Sequence, residues 1–271
     1  MKKIVVIGGT GMLGKPVRTH LANNNFKVVA LSRKEIANDN RLPNLEFVQG
    51  DFQNPQILNS ILKDAYGVHI NLSGEAEEKA SIVIESAKKN NIQLISYISG
   101  ISVNKQNTYF KPTEVKYNNE QQIIASGINY VIFKPTWFME SLPLFVNNGR
   151  ASYFGKQKTF IPFVASADYV KMVLQAYNGQ IDSNKSYEVI GTTLISFQDA
   201  LSRYVERHHK NIKKVSSTPY FIGNIIATLS GNKQLKETVA FMKYFEQAKN
   251  DDNHKNILKG ETTFKQWVEK K

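Results

Sequence analysis

Lys3-Ile4-Val5-Val6-Ile7 runs without a break into Gly8-Gly9-Thr10-Gly11-Met12-Leu13-Gly14, and the reading of this junction decides the fold. The apolar run is too short for a helix and rich in β-branched residues, so it reads as a buried strand. The spaced glycines behind it read as a tight turn that opens a helix. They satisfy two registers at once, Gly8-x-x-Gly11-x-x-Gly14 and Gly9-x-Gly11-x-x-Gly14. Gly8 lets the chain leave the strand, Gly11 leaves room for a pyrophosphate to approach the main chain, and Gly14 lets the helix close on the strand. Main-chain N–H groups of Thr10, Met12 and Leu13 then face the phosphates. Strand, glycine turn and helix in that order distinguish a dinucleotide site from an ordinary loop.

Beyond this junction, runs of strand length alternate with longer helical patterns, which predicts parallel βαβ units. Strands are expected near residues 3–7, 27–31, 45–48, 68–72, 93–98 and 130–133, and helices near 12–23, 55–62, 77–90 and 113–126. The fold class is therefore α/β, a Rossmann-type doubly wound parallel sheet of six strands whose ligand crevice lies at the strands' carboxyl ends. After Pro135 the elements shorten, with helices expected near 167–177, 197–209, 219–229, 235–248 and 262–269. Residues 1–135 then form the nucleotide-binding core. Residues 136–271 form a small, mostly helical cap for substrate, with 163–190 returning to the core.

Composition narrows the chemistry. The chain has no cysteine, which removes disulfides, thiolate nucleophiles and cysteine–metal sites. His20, His69, His208, His209 and His254 show no metal-ligand spacing, and no metal is expected. The glycines interrupt the apolar amino terminus, so it is not read as a secretion signal. The richest later window, residues 128–146, is broken by Lys134, Pro135, Glu140 and Pro143. A cytoplasmic protein with no membrane association is expected. The net charge of +12 is dispersed, although residues 201–271 hold 14 Lys/Arg against 7 Asp/Glu. No aromatic-interleaved basic motif accompanies it, so no nucleic acid partner is expected.

The second strand speaks to cofactor type. Where an NAD site places a carboxylate on the ribose 2′-hydroxyl, this chain has Ser32-Arg33-Lys34. Guanidinium and ammonium repay a 2′-phosphate in charge-assisted bonds, which favours NADPH over NADH. Asp51-Phe52, after the third strand, is placed to bracket the adenine. Leu72-Ser73-Gly74, after the fourth, is placed to pass beneath pyrophosphate and ribose. Pro135, Thr136, Trp137, Phe138 and Met139 are expected either as crevice wall, with Pro135 and Phe138 against the cofactor, or as core packing of a strand and helix.

These residues, with Gly50-Asp51-Phe52, Ser96-Tyr97-Ile98-Ser99-Gly100, Lys116-Tyr117-Asn118-Asn119-Glu120 and Phe133-Lys134-Pro135-Thr136-Trp137-Phe138, resemble the atypical extended short-chain dehydrogenase/reductases, in particular the NmrA-like group. The resemblance is good over residues 1–140, extends to 163–170 and is loose beyond 200. It implies NAD(P) binding, with relatives that include quinone and isoflavone-type reductases, sugar-nucleotide epimerases and silent redox sensors. It aligns Lys116 with the lysine of the family's Tyr-x-x-x-Lys pair, which puts Pro112 at the tyrosine position. Proline cannot transfer a proton. Lys116 is then the candidate catalytic and ribose-binding residue, with Ser99 or Ser102 in the serine role, and isoflavone-type relatives likewise use the lysine without the tyrosine. Tyr109 would need a loop displacement to substitute. Lys116 also stands four residues before Glu120, the spacing of a solvated helix pair. Two readings follow: an NADPH-dependent oxidoreductase delivering hydride to a small quinone, enal or ketone, or a silent NADP(H) sensor with a protein partner. Epimerisation is a weaker third.

Overall fold

The computed structural model describes residues 1–37, 41–248 and 256–270. Along the first part of the chain run β1 (Lys3–Ile7), α1 (Gly14–Asn23), β2 (Lys27–Ser32), β3 (Leu45–Gln49), α2 (Pro55–Leu62), β4 (Gly67–Ile70), α3 (Ala80–Lys89), β5 (Leu94–Ile98), α4 (Lys111–Ala125) and β6 (Asn129–Pro135). Then come β7 (Val146–Asn147), β8 (Arg150–Phe154), β9 (Phe160–Pro162), α5 (Ser166–Asn178), β10 (Lys185–Ile190), β11 (Leu194–Ser196), α6 (Phe197–His208), β12 (Val215–Thr218), α7 (Tyr220–Ser230), α8 (Lys233–Gln247), β13 (Ile257–Lys259) and α9 (Phe264–Lys270).

Two compact units are formed, one on Met1–Pro135, Ser166–Val189 and 256–258, the other on Thr136–Ala165, 190–248 and 259–270. The first carries an eight-stranded sheet in the order β13-β10-β6-β5-β4-β1-β2-β3. Six strands are expected from sequence; β10 and β13 extend the sheet beyond β6, and β10 pairs in parallel with β6 from Lys185↔Val131 to Val189↔Pro135. β1 pairs in parallel with β2 and with β4. The chain goes one way from β1 to β2 and β3 and then returns to β4 on the other side, so the topological switch point lies at the carboxyl ends of β1 and β4. Ile4, Val5, Val6 and Ile7 are all buried, as a strand covered on both faces requires.

Local chemistry sets the elements that shape the crevice. Asn54 caps α2 by accepting from Gln56 N (3.0 Å) and Ile57 N (3.3 Å), with Pro55 at the helix's first position. Pro112 sits in the first turn of α4, where its missing N–H costs nothing. The predicted helix over 77–90 begins instead as a 3-10 turn, Gly74–Lys79, and becomes α-helical at Ala80.

In the second unit, Trp137, Met139, Tyr153, Phe163, Phe197, Phe264 and Trp267 belong to one buried cluster. Around it stand helices α6 to α9, a three-stranded sheet β12-β8-β7 and the antiparallel pair β11-β9. No helix among the described residues is long and apolar enough to cross a membrane.

Candidate active site

A cleft of about 560 Å³ opens at the switch point of the first unit. Its floor is the glycine turn: Gly11 N donates to Gly8 O (3.1 Å) and Lys15 N to Gly11 O (3.0 Å). Gly8 holds φ +76°, and a Cβ there would collide with the carbonyl oxygen of Asn71 and stand 2.8 Å from its carbon. A Cβ on Gly14 would collide with Gly8 O and stand 2.8 Å from Gly9 Cα. Gly11 differs: its nearest neighbour would be Gly8 O at 3.4 Å, an ordinary contact that leaves the volume above the turn open. Arg18, one turn into α1, donates to Gly9 O and lies 4.7 Å from the Phe47 ring centroid, tying helix to turn. The amino end of α1 carries no acidic residue and no side-chain cap on its first turn, which leaves its positive end for an anion.

Of the residues expected from sequence, Gly8, Thr10, Gly11, Ser32, Arg33, Asp51, Phe52, Leu72 and Ser73 line this cleft. Met12, Leu13, Gly14, Lys34, Gly74, Ser99, Lys116, Pro135 and Phe138 stand outside it. Ser32 lines the wall, but its hydroxyl donates to Lys34 O (2.7 Å) and accepts from Lys34 N (3.2 Å), so the β2 turn uses it. Asp51 Oδ1 likewise accepts from Gln53 N (2.9 Å). Arg33 is the cation that the end of β2 presents to the cleft. Residues that sequence reasoning left out also line it, among them Gln53, Glu75, Glu78 and Lys79. Lys79 donates to Gln53 Oε1 (2.5 Å) across the opening.

Lys116 and Ser99 belong to two ionic groups at the ends of β5 and β6, the first part-buried and the second buried. Lys116 Nζ pairs with Glu77 Oε2 at 2.8 Å, donates to Ile98 O at 3.2 Å and lies 5.4 Å from the centroid of the Tyr97 ring. Glu77, 3% exposed, also accepts from Tyr97 Oη (2.5 Å) and Asn119 Nδ2 (3.2 Å). Burial, and next to it the Glu77 carboxylate, push the Tyr97 phenol well above its ordinary range. The i+4 spacing to Glu120 is not used, because Glu120 turns inward. Ser99 Oγ donates to Glu120 Oε1, and Lys134 Nζ approaches Glu120 Oε2 at 3.3 Å and donates to Val103 O at 2.6 Å. Burial raises the Glu120 pKa, with Lys134 opposing it.

These contacts decide what each group can donate. An ammonium has three N–H donors; Glu77 and Ile98 take two from Lys116. Ser99 directs its O–H to Glu120 and can serve any other group only as an acceptor. Ser102 contributes its carbonyl to Asn107 Nδ2 (2.8 Å). Tyr109 is 64% exposed.

In the second unit the expected wall residues are largely interior ones. Met139 is fully buried, Trp137 makes an edge contact with Phe197 at 4.8 Å between centroids, and Thr136 Oγ1 donates to Pro162 O at 2.6 Å. Phe138 is buried and bridges to Val164. Pro135 closes β6, its carbonyl accepting from Ile101 N at 3.0 Å. An apolar pattern cannot separate a wall residue from a core residue, and the sequence leaves both open for this segment; Met139 is core, whereas Trp137 also lines a cleft of about 730 Å³ within the second unit. Among the described residues no group of three or more His, Cys, Asp or Glu could hold a metal ion, and His254 lies outside them.

Residues 8–156 match the model of a family described as NAD(P)H-binding. Agroclavine dehydrogenase of Claviceps fusiformis is 25% identical over 101 residues, covering 34% of this chain and only 35% of that protein. The photosystem II assembly factor Ycf39 of Trieres chinensis is 20% identical over 92% of this chain and 82% of its own length. Among solved structures, the NADPH-dependent quinone oxidoreductase QOR2 of Escherichia coli, complexed with NADPH, superposes with a TM-score of 0.76 at 18% identity over 98% of this chain and 99% of that one. That likeness establishes the shared Rossmann-type fold.

Proposed function

The chain belongs to the NAD(P)H-binding family, and from that premise we propose that it is an NADP(H)-dependent oxidoreductase that reduces a small quinone, enal or ketone. The observation that carries the reading is Arg33, at the carboxyl end of β2 on the wall of the cleft whose floor is the glycine turn; Lys116, held by Glu77 and Ile98 outside that cleft, is the cation we assign to the ribose and the acceptor. Arg33 reads the 2′-phosphate. The glycine turn and the amino end of α1 take the pyrophosphate, and Asp51 and Phe52 flank the adenine. When bound, the dihydronicotinamide supplies a hydride. Lys116 orients the ribose and the acceptor oxygen and stabilises the negative charge that hydride addition leaves on that oxygen; solvent then supplies the proton, because Pro112 has none to give and the Ser99 O–H is held in its hydrogen bond to Glu120. The quinone oxidoreductase with this fold is consistent with a flat, apolar acceptor. The ion pairs keep both carboxylates off the acceptor, where their charge would oppose the developing oxyanion.

A second reading is an NADP(H) binder that reports redox state to a protein partner without turnover. It is favoured by the engagement of Ser99 with Glu120 and by the assembly factor among the relatives. NADPH oxidation measured with a panel of quinones, enals and ketones separates the two. Turnover that Lys116→Ala removes supports the reductase, whereas tight NADPH binding with no turnover of any acceptor supports the sensor.

A further inference from the structure

Helix α7 is apolar on its outer side. Its inner side is its smallest: Gly223 and Ala227, one turn apart, are buried, and a Cβ at Gly223 would press on the Phe154 ring at 2.7 Å and stand 3.0 Å from Val239 of α8. Tyr220 fixes the same side at the helix start, its hydroxyl donating to Glu246 Oε2 (2.5 Å) and accepting from Gln157 Nε2 (3.0 Å). At about 100° per residue the opposite side carries Phe221, Ile222, Ile225, Ile226 and Leu229. All five are exposed, Phe221 at 66% and Leu229 at 84%. Asn224, Thr228 and Ser230 only border this arc. A surface helix ordinarily turns its polar residues outward, and an apolar arc in their place marks a contact surface.

The surrounding charge indicates the kind of surface it meets. The helix itself holds no Lys, Arg, Asp or Glu, while the flanking residues 210–219 and 231–240 hold Lys210, Lys213, Lys214, Lys233 and Lys236 against the single acid Glu237. A second copy would add its own lysine excess to this one. A protein interface is depleted in lysine and takes its strongest anchors from Trp, Tyr and Arg; this arc has none of the three, and Phe221 is its one aromatic residue. An apolar arc on a helix without acidic residues, with a lysine excess in the chain segments before and after it, instead matches the acyl–headgroup boundary of an anionic bilayer, apolar side chains down and ammonium groups toward the lipid phosphates. We infer that α7 is a peripheral docking helix that seats the protein reversibly on an anionic phospholipid surface, lying in the plane of the interface. Its 11 residues are too few to span a bilayer. The expectation from sequence of no membrane association follows from the absence of a spanning segment, and a helix lying flat needs none.

Co-sedimentation of the full chain with phosphatidylcholine vesicles, with and without phosphatidylglycerol, at low and at high salt, tests this. The wild type is expected to sediment with the anionic vesicles at low salt and to release at high salt. The double variant Ile225→Ser/Leu229→Ser is expected to lose binding at least about tenfold, as two large apolar anchors are removed. Both residues are exposed, so its melting temperature and NADPH affinity should match the wild type. The inference is overturned if the wild type stays in the supernatant, if the double variant sediments equally well, or if light scattering shows a dimer that the double variant abolishes.

Discussion

Substituting two glycines of the same turn is expected to produce opposite failures. A Cβ on Gly14 meets three backbone atoms that cannot rotate away, Gly8 O and C and Gly9 Cα. Overpacking of this kind costs about 1–3 kcal/mol and sometimes more. The helical preference of alanine over glycine returns at most about 1 kcal/mol. Gly14→Ala should therefore lose about 2 kcal/mol of stability. Gly11 has no positive φ, and its Cβ would make one ordinary contact at 3.4 Å, so Gly11→Val should stay within about 1 kcal/mol of wild type. Its methyl groups, however, would occupy the approach of the pyrophosphate to the main chain. Each lost charge-assisted bond is worth about 1.5–3 kcal/mol, so one or two of them reduce NADPH affinity at least about tenfold. Urea unfolding of both variants and calorimetric titration with NADPH read the two effects separately. Wild-type affinity in a folded Gly11→Val protein would place the cofactor elsewhere, and wild-type stability in Gly14→Ala would refute the close approach of α1 to the turn.

Lys116→Ala should depress turnover about 10²- to 10⁴-fold while Tyr109→Phe leaves it nearly unchanged, as steady-state NADPH oxidation with a quinone will show. Glu77→Gln leaves the Lys116 ammonium without its counter-charge; because that lysine is partly exposed, the expected cost is about 2 kcal/mol, below the 3–5 typical of fully buried pairs, measured by urea unfolding. His69 is buried, its Nδ1 2.8 Å from Ser96 Oγ, and burial pushes its pKa down to about 3. The unfolded chain takes up the proton near pH 6.5, so this contribution is intact above pH 6.5 and is lost as pH falls toward 3, at about 1.4 kcal/mol per unit. Between pH 6.5 and 5 that amounts to about 2 kcal/mol, and His69→Leu should flatten the unfolding free energy against pH by that amount.

What was legible in the sequence is what local pattern encodes. The buried parallel strands read as unbroken apolar runs, and the Gly8–Gly14 turn reads from its spacing, which is why the fold class and the cleft floor follow from residues 1–135. β10 is foreseen only as part of the 163–190 stretch that returns to the core, and β13 not at all, because Lys185–Ile190 is half polar, Ile257–Lys259 is only three residues, and both join the sheet by pairing far from their sequence neighbours. The partners of Lys116 and Ser99 were missed for the same reason. Glu77 lies 39 residues from Lys116, in an acidic run that reads locally as solvated helix. One signal was available: Lys134 sits between Phe133 and Pro135 on a strand too apolar to leave a lysine unpartnered, which called for a buried carboxylate nearby.

The central claim, that the cleft holds NADP(H) through Arg33, is tested most directly by calorimetric titration of the wild type and of Arg33→Ala with NADPH and with NADH. One charge-assisted contact to the 2′-phosphate, at about 1.5–3 kcal/mol, predicts about a ten- to hundredfold preference for NADPH in the wild type. Arg33→Ala should bring the two affinities together, and Lys34→Ala, outside the cleft, should not. Equal affinities of the wild type for the two nucleotides, or a preference that survives Arg33→Ala, would contradict the account.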